Sequence, residues 1–277
     1  MHPVAFDIGG VTVHWYGIML AAGFMAGMWT AGRRGVKIGL NAEDISNLML
    51  WMFIGGIAGA KLLFVVNHWG EQQSIKELFL QRSGMVFHGA MIGTFIAVFL
   101  FTKKTKMPLW PTFDTLAPSF ALGHVFGRIG CFMTGCCYGR ECSLPWGIQF
   151  PSGSNVHHSH VNQKLIEKGD PYSLHVHPTQ IYESLLNLAL YGILAWIFRN
   201  RKFNGQVIAC YLIGYAILRF GVEFLRADGR GHLWFGTLTS GQGISLILLV
   251  SGIVLCRLLS SREKLDPAIS KEADELS

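Results

Sequence analysis

Charge is what this chain has least of. Asp, Glu, Lys and Arg make up 14% of its 277 residues, against 51% hydrophobic residues. A soluble globular chain carries roughly 25% charged residues, so a mostly water-facing surface is excluded and a polytopic membrane protein is expected. The small basic excess, 23 Lys and Arg against 17 Asp and Glu, falls in short clusters between apolar runs. Such clusters are topology signals, and no nucleic-acid partner is implied. Six cysteines are too few for a disulfide scaffold of this length,. The paired C-x2-C spacing of zinc sites is missing too. The run Cys131, Cys136, Cys137, Cys142 admits a structural zinc only with help from His157, His158 or His160, so neither metal nor cofactor is expected. The glycine-rich stretch 123–139 lacks the strand, lysine and hydroxyl of a phosphate loop. The first ten residues lack a basic segment and an apolar run ending in small residues, so no cleavable signal peptide is expected and the first span serves as the membrane signal.

What is present is a series of apolar runs at residues 15–31, 45–66, 85–101, 109–132, 179–198, 207–225 and 238–259. Each is long enough to cross a bilayer with its flanks. The expected fold class is therefore an all-α polytopic membrane protein of seven transmembrane helices, with residues 138–178 as a small extramembrane head between helices four and five. Residues 262–277 form a charged cytoplasmic tail. Pro118 predicts a kinked or broken fourth helix. Lys and Arg cluster after spans one, three and five (Arg33, Arg34, Lys37; Lys103, Lys104, Lys106; Arg199, Arg201, Lys202) and are sparser in the longer opposite loops. The positive-inside rule then puts the N-terminus outside and the C-terminus in the cytoplasm.

In that orientation Tyr16, Lys61, His88, Arg128, Gln180, Tyr182, Glu183, Arg219, Glu223 and Gln242 all fall toward the outer ends of their spans. Polar groups at one membrane depth are a functional site until shown otherwise. Tyr215, Arg219, Glu223 and Arg226 are spaced four, four and three apart, on one helical face. Arg219 and Glu223 can simply pair with each other. Yet the arginines outnumber the carboxylate, and Arg128 adds another, a surplus suited to gripping a phosphodiester. His88 is either a helix-end interface residue or a base for a thiol or hydroxyl proton. Among Cys136, Cys137 and Cys142 one disulfide and free thiols are both open. A catalytic thiol at Cys131 or Cys136 is a further reading.

The motifs GRIGCFMTGCCYG (127–139), WYG (15–17), FHG (87–89), HPTQIYE (177–183), YAILRFGVEFLR (215–226) and SGQGIS (240–245) run in order through nearly the whole chain. Together they resemble the prolipoprotein diacylglyceryl transferases. The resemblance implies a seven-helix enzyme of the bacterial inner membrane with a periplasmic N-terminus and head. It would transfer the diacylglyceryl group of phosphatidylglycerol to the lipobox cysteine of a prolipoprotein signal peptide, forming a thioether and releasing glycerol phosphate. His88, Arg128 and Arg219 are then the implied catalytic residues. Tyr16, Gly139, Gln180, Tyr182, Tyr215, Glu223 and Arg226, with the two arginines, are implied in lipid binding. The chain departs from the usual family pattern in carrying Cys131 in place of an asparagine and Cys136 in place of a later acidic residue. A membrane thiol-disulfide oxidoreductase acting through the Cys131–Cys142 cluster is the alternative function. A transporter for an anionic solute is disfavoured by the apolar cytoplasmic halves.

Overall fold

The computed structural model describes residues 4–9, 11–69, 86–227 and 238–262, apart from the side chains of Ile8, Val11, Phe87, His88 and Arg262. Most of the expected tail, and the loops around Arg82 and Asp228, lie outside the described residues. The chain is a helical membrane protein. Its described helices are α1 (Trp15–Val36), α2 (Ala42–Asn67), α3 (Phe87–Thr105), α4 (Leu109–Thr134), α5 (Asn155–Asn162), α6 (Thr179–Arg199), α7 (Gln206–Glu223) and α8 (Ser240–Arg262). Four of them, α2, α6, α7 and α8, are long and apolar enough to cross a membrane. The helices coincide with the seven apolar runs to within a few residues at each end.

Two features depart from the all-α expectation. A two-stranded antiparallel hairpin, β1 (Val4–Ile8) and β2 (Val11–His14), precedes α1, turning at Gly9 with φ +60°. Pro118 does not break α4, which runs on through it as a single helix. Hydroxyls help tie this region down: Ser119 Oγ donates to Gly27 O of α1 at 3.0 Å.

The chain divides into two units, residues 1–30 with 113–270, and residues 31–112 with 271–277. In the second, α2 and α3 touch backbone to backbone. A Cβ on Gly59 would lie 2.8 Å from Gly93 Cα, and one on Gly55 2.8 Å from Gly93 O. Small residues one turn apart on both helices permit this approach, the route by which helices associate in lipid without a hydrophobic drive. In the first unit, the Asp114 carboxylate of α4 reaches the start of α7, its Oδ2 accepting from Gly205 N at 2.7 Å and its Oδ1 from Ile208 N at 3.0 Å. A carboxylate from one helix thus caps the exposed N–H groups of another. The segment after α4 folds around a small core of Tyr138, Phe150, Val156 and Val176. It is fastened to the end of α7 by the Gly139–Arg226 bridge. Two histidines of this segment are engaged with backbone: His157 Nε2 is 2.8 Å from Asp170 O, and His160 Nδ1 accepts from Leu174 N.

Gly93→Leu is expected to abolish the α2–α3 contact and prevent recovery of monodisperse protein in detergent. Gly192→Ala, where a Cβ would meet nothing within 4 Å, is expected to be tolerated. Size-exclusion profiles of the two variants check this.

Candidate active site

The inward face of α6 changes character along its length. Its buried residues are Thr179, Gln180, Glu183, Ser184 and Asn187 in the first half, then Leu190, Leu194 and Phe198. Three- and four-residue spacing puts them in one stripe, so the helix contributes a polar wall at its N-terminal end only. Facing this wall is the last third of α4. Arg128 Nη2 lies 2.7 Å from Glu183 Oε2, and Arg226 Nη1, just past the end of α7, lies 3.4 Å from Glu183 Oε1. One carboxylate, 4% exposed, therefore sits between two guanidinium groups.

A second ion pair stands on α7 itself. Arg219 Nη1 is 2.6 Å from Glu223 Oε2, but this contact lacks hydrogen-bond geometry and neither atom has a directed partner. The other oxygen, Oε1, accepts from Thr239 Oγ1 at 2.8 Å. Thr239 and Gln242 form a capping box at the start of α8: Gln242 N donates to Thr239 Oγ1 and Thr239 N donates to Gln242 Oε1,. Gly241 leaves room for the pair, since a Cβ there would come within 2.9 Å of Glu223 Oε2 and 3.0 Å of Arg219 Nη2.

Tyr215, one turn before Arg219 on α7, stacks on His124 of α4 with ring centroids 4.9 Å apart. Among the described residues this cluster holds three guanidinium groups and two carboxylates. The Arg219–Glu223 pairing that the spacing allowed is present, and Arg128 shares Glu183 with Arg226. Burial enforces the pairing, because a guanidinium with no counter-charge in low dielectric costs several kcal/mol.

Gln180 and Gly139 have visible structural duties. Gln180 is fully buried and donates from Nε2 to Cys136 O at 2.7 Å, while Thr179 Oγ1 donates to Cys137 O at 2.7 Å. Gln180 Oε1 and Asn187 Oδ1 are buried and accept no hydrogen bond from the protein. Gly139 N donates to His177 O, and a Cβ there would strike His177 Cβ at 2.6 Å. Tyr182 contacts His177, hydroxyl to Nδ1, at 3.2 Å. Tyr16, 43% exposed, opens α1 against Gly130 of α4. His88 stands in the first turn of α3 and its side chain lies outside the described residues. Thr179, Asn187 and Thr239, together with Tyr211, which stacks on Tyr215 with ring centroids 5.8 Å apart, were not singled out from the sequence as members of this region. Thr239, three residues before a glutamine at a helix start, carried a legible capping-box signal. None of the six cysteines is joined in a disulfide in this structure.

The chain can be compared with known proteins on this footing. The family model described as prolipoprotein diacylglyceryl transferase matches residues 3–258. A phosphatidylglycerol--prolipoprotein diacylglyceryl transferase of Clostridium tetani is 37% identical over 257 residues, which cover 91% of this chain and 96% of the relative. Similarly named proteins of Clostridium perfringens and Thermosynechococcus vestitus are 34% and 31% identical, covering 92% and 89% of this chain and 94% and 88% of their own lengths.

Glu183→Gln is expected to lower the unfolding midpoint in detergent by several degrees, because removing one partner of a buried ion pair costs about 3–5 kcal/mol. Adding Arg128→Gln is expected to restore part of that loss, the signature of direct coupling in a double-mutant cycle. Strict additivity of the two losses would show that the pair is not coupled.

Proposed function

The chain belongs to the prolipoprotein diacylglyceryl transferase family, and from that premise we propose how its residues carry the reaction. The enzyme transfers the diacylglyceryl group of phosphatidylglycerol to the lipobox cysteine thiol of a prolipoprotein. A sulfur–carbon bond forms at the glyceryl carbon as the carbon–oxygen bond to the phosphate breaks. The thiol proton passes to a base, and the electron pair leaves on glycerol phosphate.

The observation that carries this reading is the gathering of Arg128, Arg219 and Arg226 in one buried cluster on Glu183 and Glu223. Fixed guanidinium charge in a dry site favours the phosphodiester on binding and the phosphate monoester on departure, where negative charge grows. Arg219 is the group best disposed to turn toward a phosphoryl oxygen, since its contact with Glu223 lacks hydrogen-bond geometry. Glu183 fixes Arg128 from behind and keeps a second arginine beside it. His88 is proposed as the base on the FHG motif. Tyr16, Gln180, Tyr182, Tyr215, Glu223, Arg226 and Gly139 are proposed to shape the lipid site.

The topology proposed with it has seven spans, α1 to α4 and α6 to α8. Supporting this are their lengths, 18 to 26 residues, and the Lys and Arg clusters at alternate ends,. The N-terminus and the segment 138–178 then face the periplasm of a bacterial inner membrane, and the arginine cluster lies toward that leaflet. A lipobox thiol would reach it from the bilayer on its own signal helix. Named relatives that are all transferases give the thiol oxidoreductase alternative no support.

Arg128→Ala, Arg219→Ala and His88→Ala are each expected to reduce transfer from phosphatidylglycerol to a lipobox peptide in detergent by about a hundredfold or more. Unchanged turnover in all three would overturn the assignment. Gly241→Ala is expected to do something different. Its Cβ meets only the ends of two flexible side chains, so the unfolding midpoint should hold while turnover falls as Arg219 is pushed aside. Full transfer by a Cys136→Ser, Cys137→Ser variant would dismiss the thiol-based alternative.

A further inference from the structure

The thiols of the glycine-rich stretch have no part in this reaction, yet three of them are gathered with care. Cys131 lies in the last turns of α4, which ends at Thr134. The chain then turns through Gly135 at φ +68° and Cys137 at φ +61°. The second is a left-handed residue with a side chain, an unfavourable conformation that persists only where surroundings enforce it. The enforcement is visible. Cys136 N donates to Cys131 O at 3.1 Å, while Gln180 and Thr179, both fully buried on α6, hold the carbonyls of Cys136 and Cys137.

The result is that the sulfur atoms of Cys131, Cys136 and Cys137 all lie within 4.8 Å of one another, none of them in a disulfide. A disulfide needs two sulfurs and leaves the third without purpose; convergence of all three on one point is the geometry a single ion requires. Three thiolate donors select a soft ion. Zinc in structural sites takes four protein ligands, and among the described residues no histidine or carboxylate joins these three,. A monovalent d10 ion is satisfied by three sulfurs.

We propose that Cys131, Cys136 and Cys137 form a preorganised three-thiolate site for one copper(I) ion. The site needs no movement of α4 or α6, because the turn that presents it is already held by their hydrogen bonds.

The test uses the full chain in detergent, reduced and kept anaerobic, titrated with copper(I) in the presence of a chromogenic copper(I) chelator as competitor. One equivalent is expected to be retained, with an X-ray absorption spectrum showing three sulfur neighbours. Cys131→Ser, Cys136→Ser and Cys137→Ser are each expected to lose that retention or fall to two sulfurs, while Cys142→Ser keeps it. Should a variant fail to fold, the sulfur count of the unaltered protein decides alone. Three results would each overturn the proposal: no retention by the reduced protein, retention unaffected by all three substitutions, or a disulfide already joining two of these cysteines in protein purified without reductant.

Discussion

A carboxylate shared by two arginines is the contact on which the polar half of this membrane protein depends. Glu183 is almost sealed from solvent, and without Arg128 and Arg226 its charge would be prohibitive there; without Glu183 so would theirs,. The pair cannot be assembled one helix at a time. Glu183 comes from α6, Arg128 from α4 and Arg226 from the chain leaving α7, so closing this contact fixes three elements together. Glu223 repeats the logic on α7 with Arg219, and Thr239 extends it to α8.

Much of this was legible in the sequence because hydrophobic runs in membranes are long and punctuated by charge. Helix limits read from apolar stretches fall within a few residues of those observed, and the four-residue spacing of Tyr215, Arg219 and Glu223 put them correctly on one face. Partnerships between helices were not legible. Nothing in the spacing of HPTQIYE says that its glutamate meets Arg128, or that Gln180 spends its amide on the Cys136 carbonyl, because those contacts depend on how α6 docks. The N-terminal hairpin was missed because its two strands are short and fall outside any span. Of the two outcomes expected at Pro118, a break is absent: a helix can pass through proline when a neighbouring helix holds it, and α1 supplies such contacts at Gly27 and Thr30.

Glycine serves two separate ends. Between α2 and α3 it brings backbones together, so packing there is a matter of shape. At Gly241 it clears space beside the ends of two charged side chains, so a methyl group would alter their geometry before stability, whereas at Gly139 a methyl group would strike the His177 and Leu225 carbonyls. The same residue type thus supports the scaffold in one unit and the site in the other.

The clamp at Asp114 has a metric consequence. It binds the α7 terminus at Gly205, and fourteen positions separate Asp114 from Arg128 just as fourteen separate Gly205 from Arg219. At 1.5 Å per residue both arginines stand about 21 Å along their helices from a common datum. Each helix counts the same number of rungs to its arginine from one shared footing. Adding or deleting a single residue along either ladder would shift its arginine by a step and swing it by roughly 100°, however faithfully every side chain were kept.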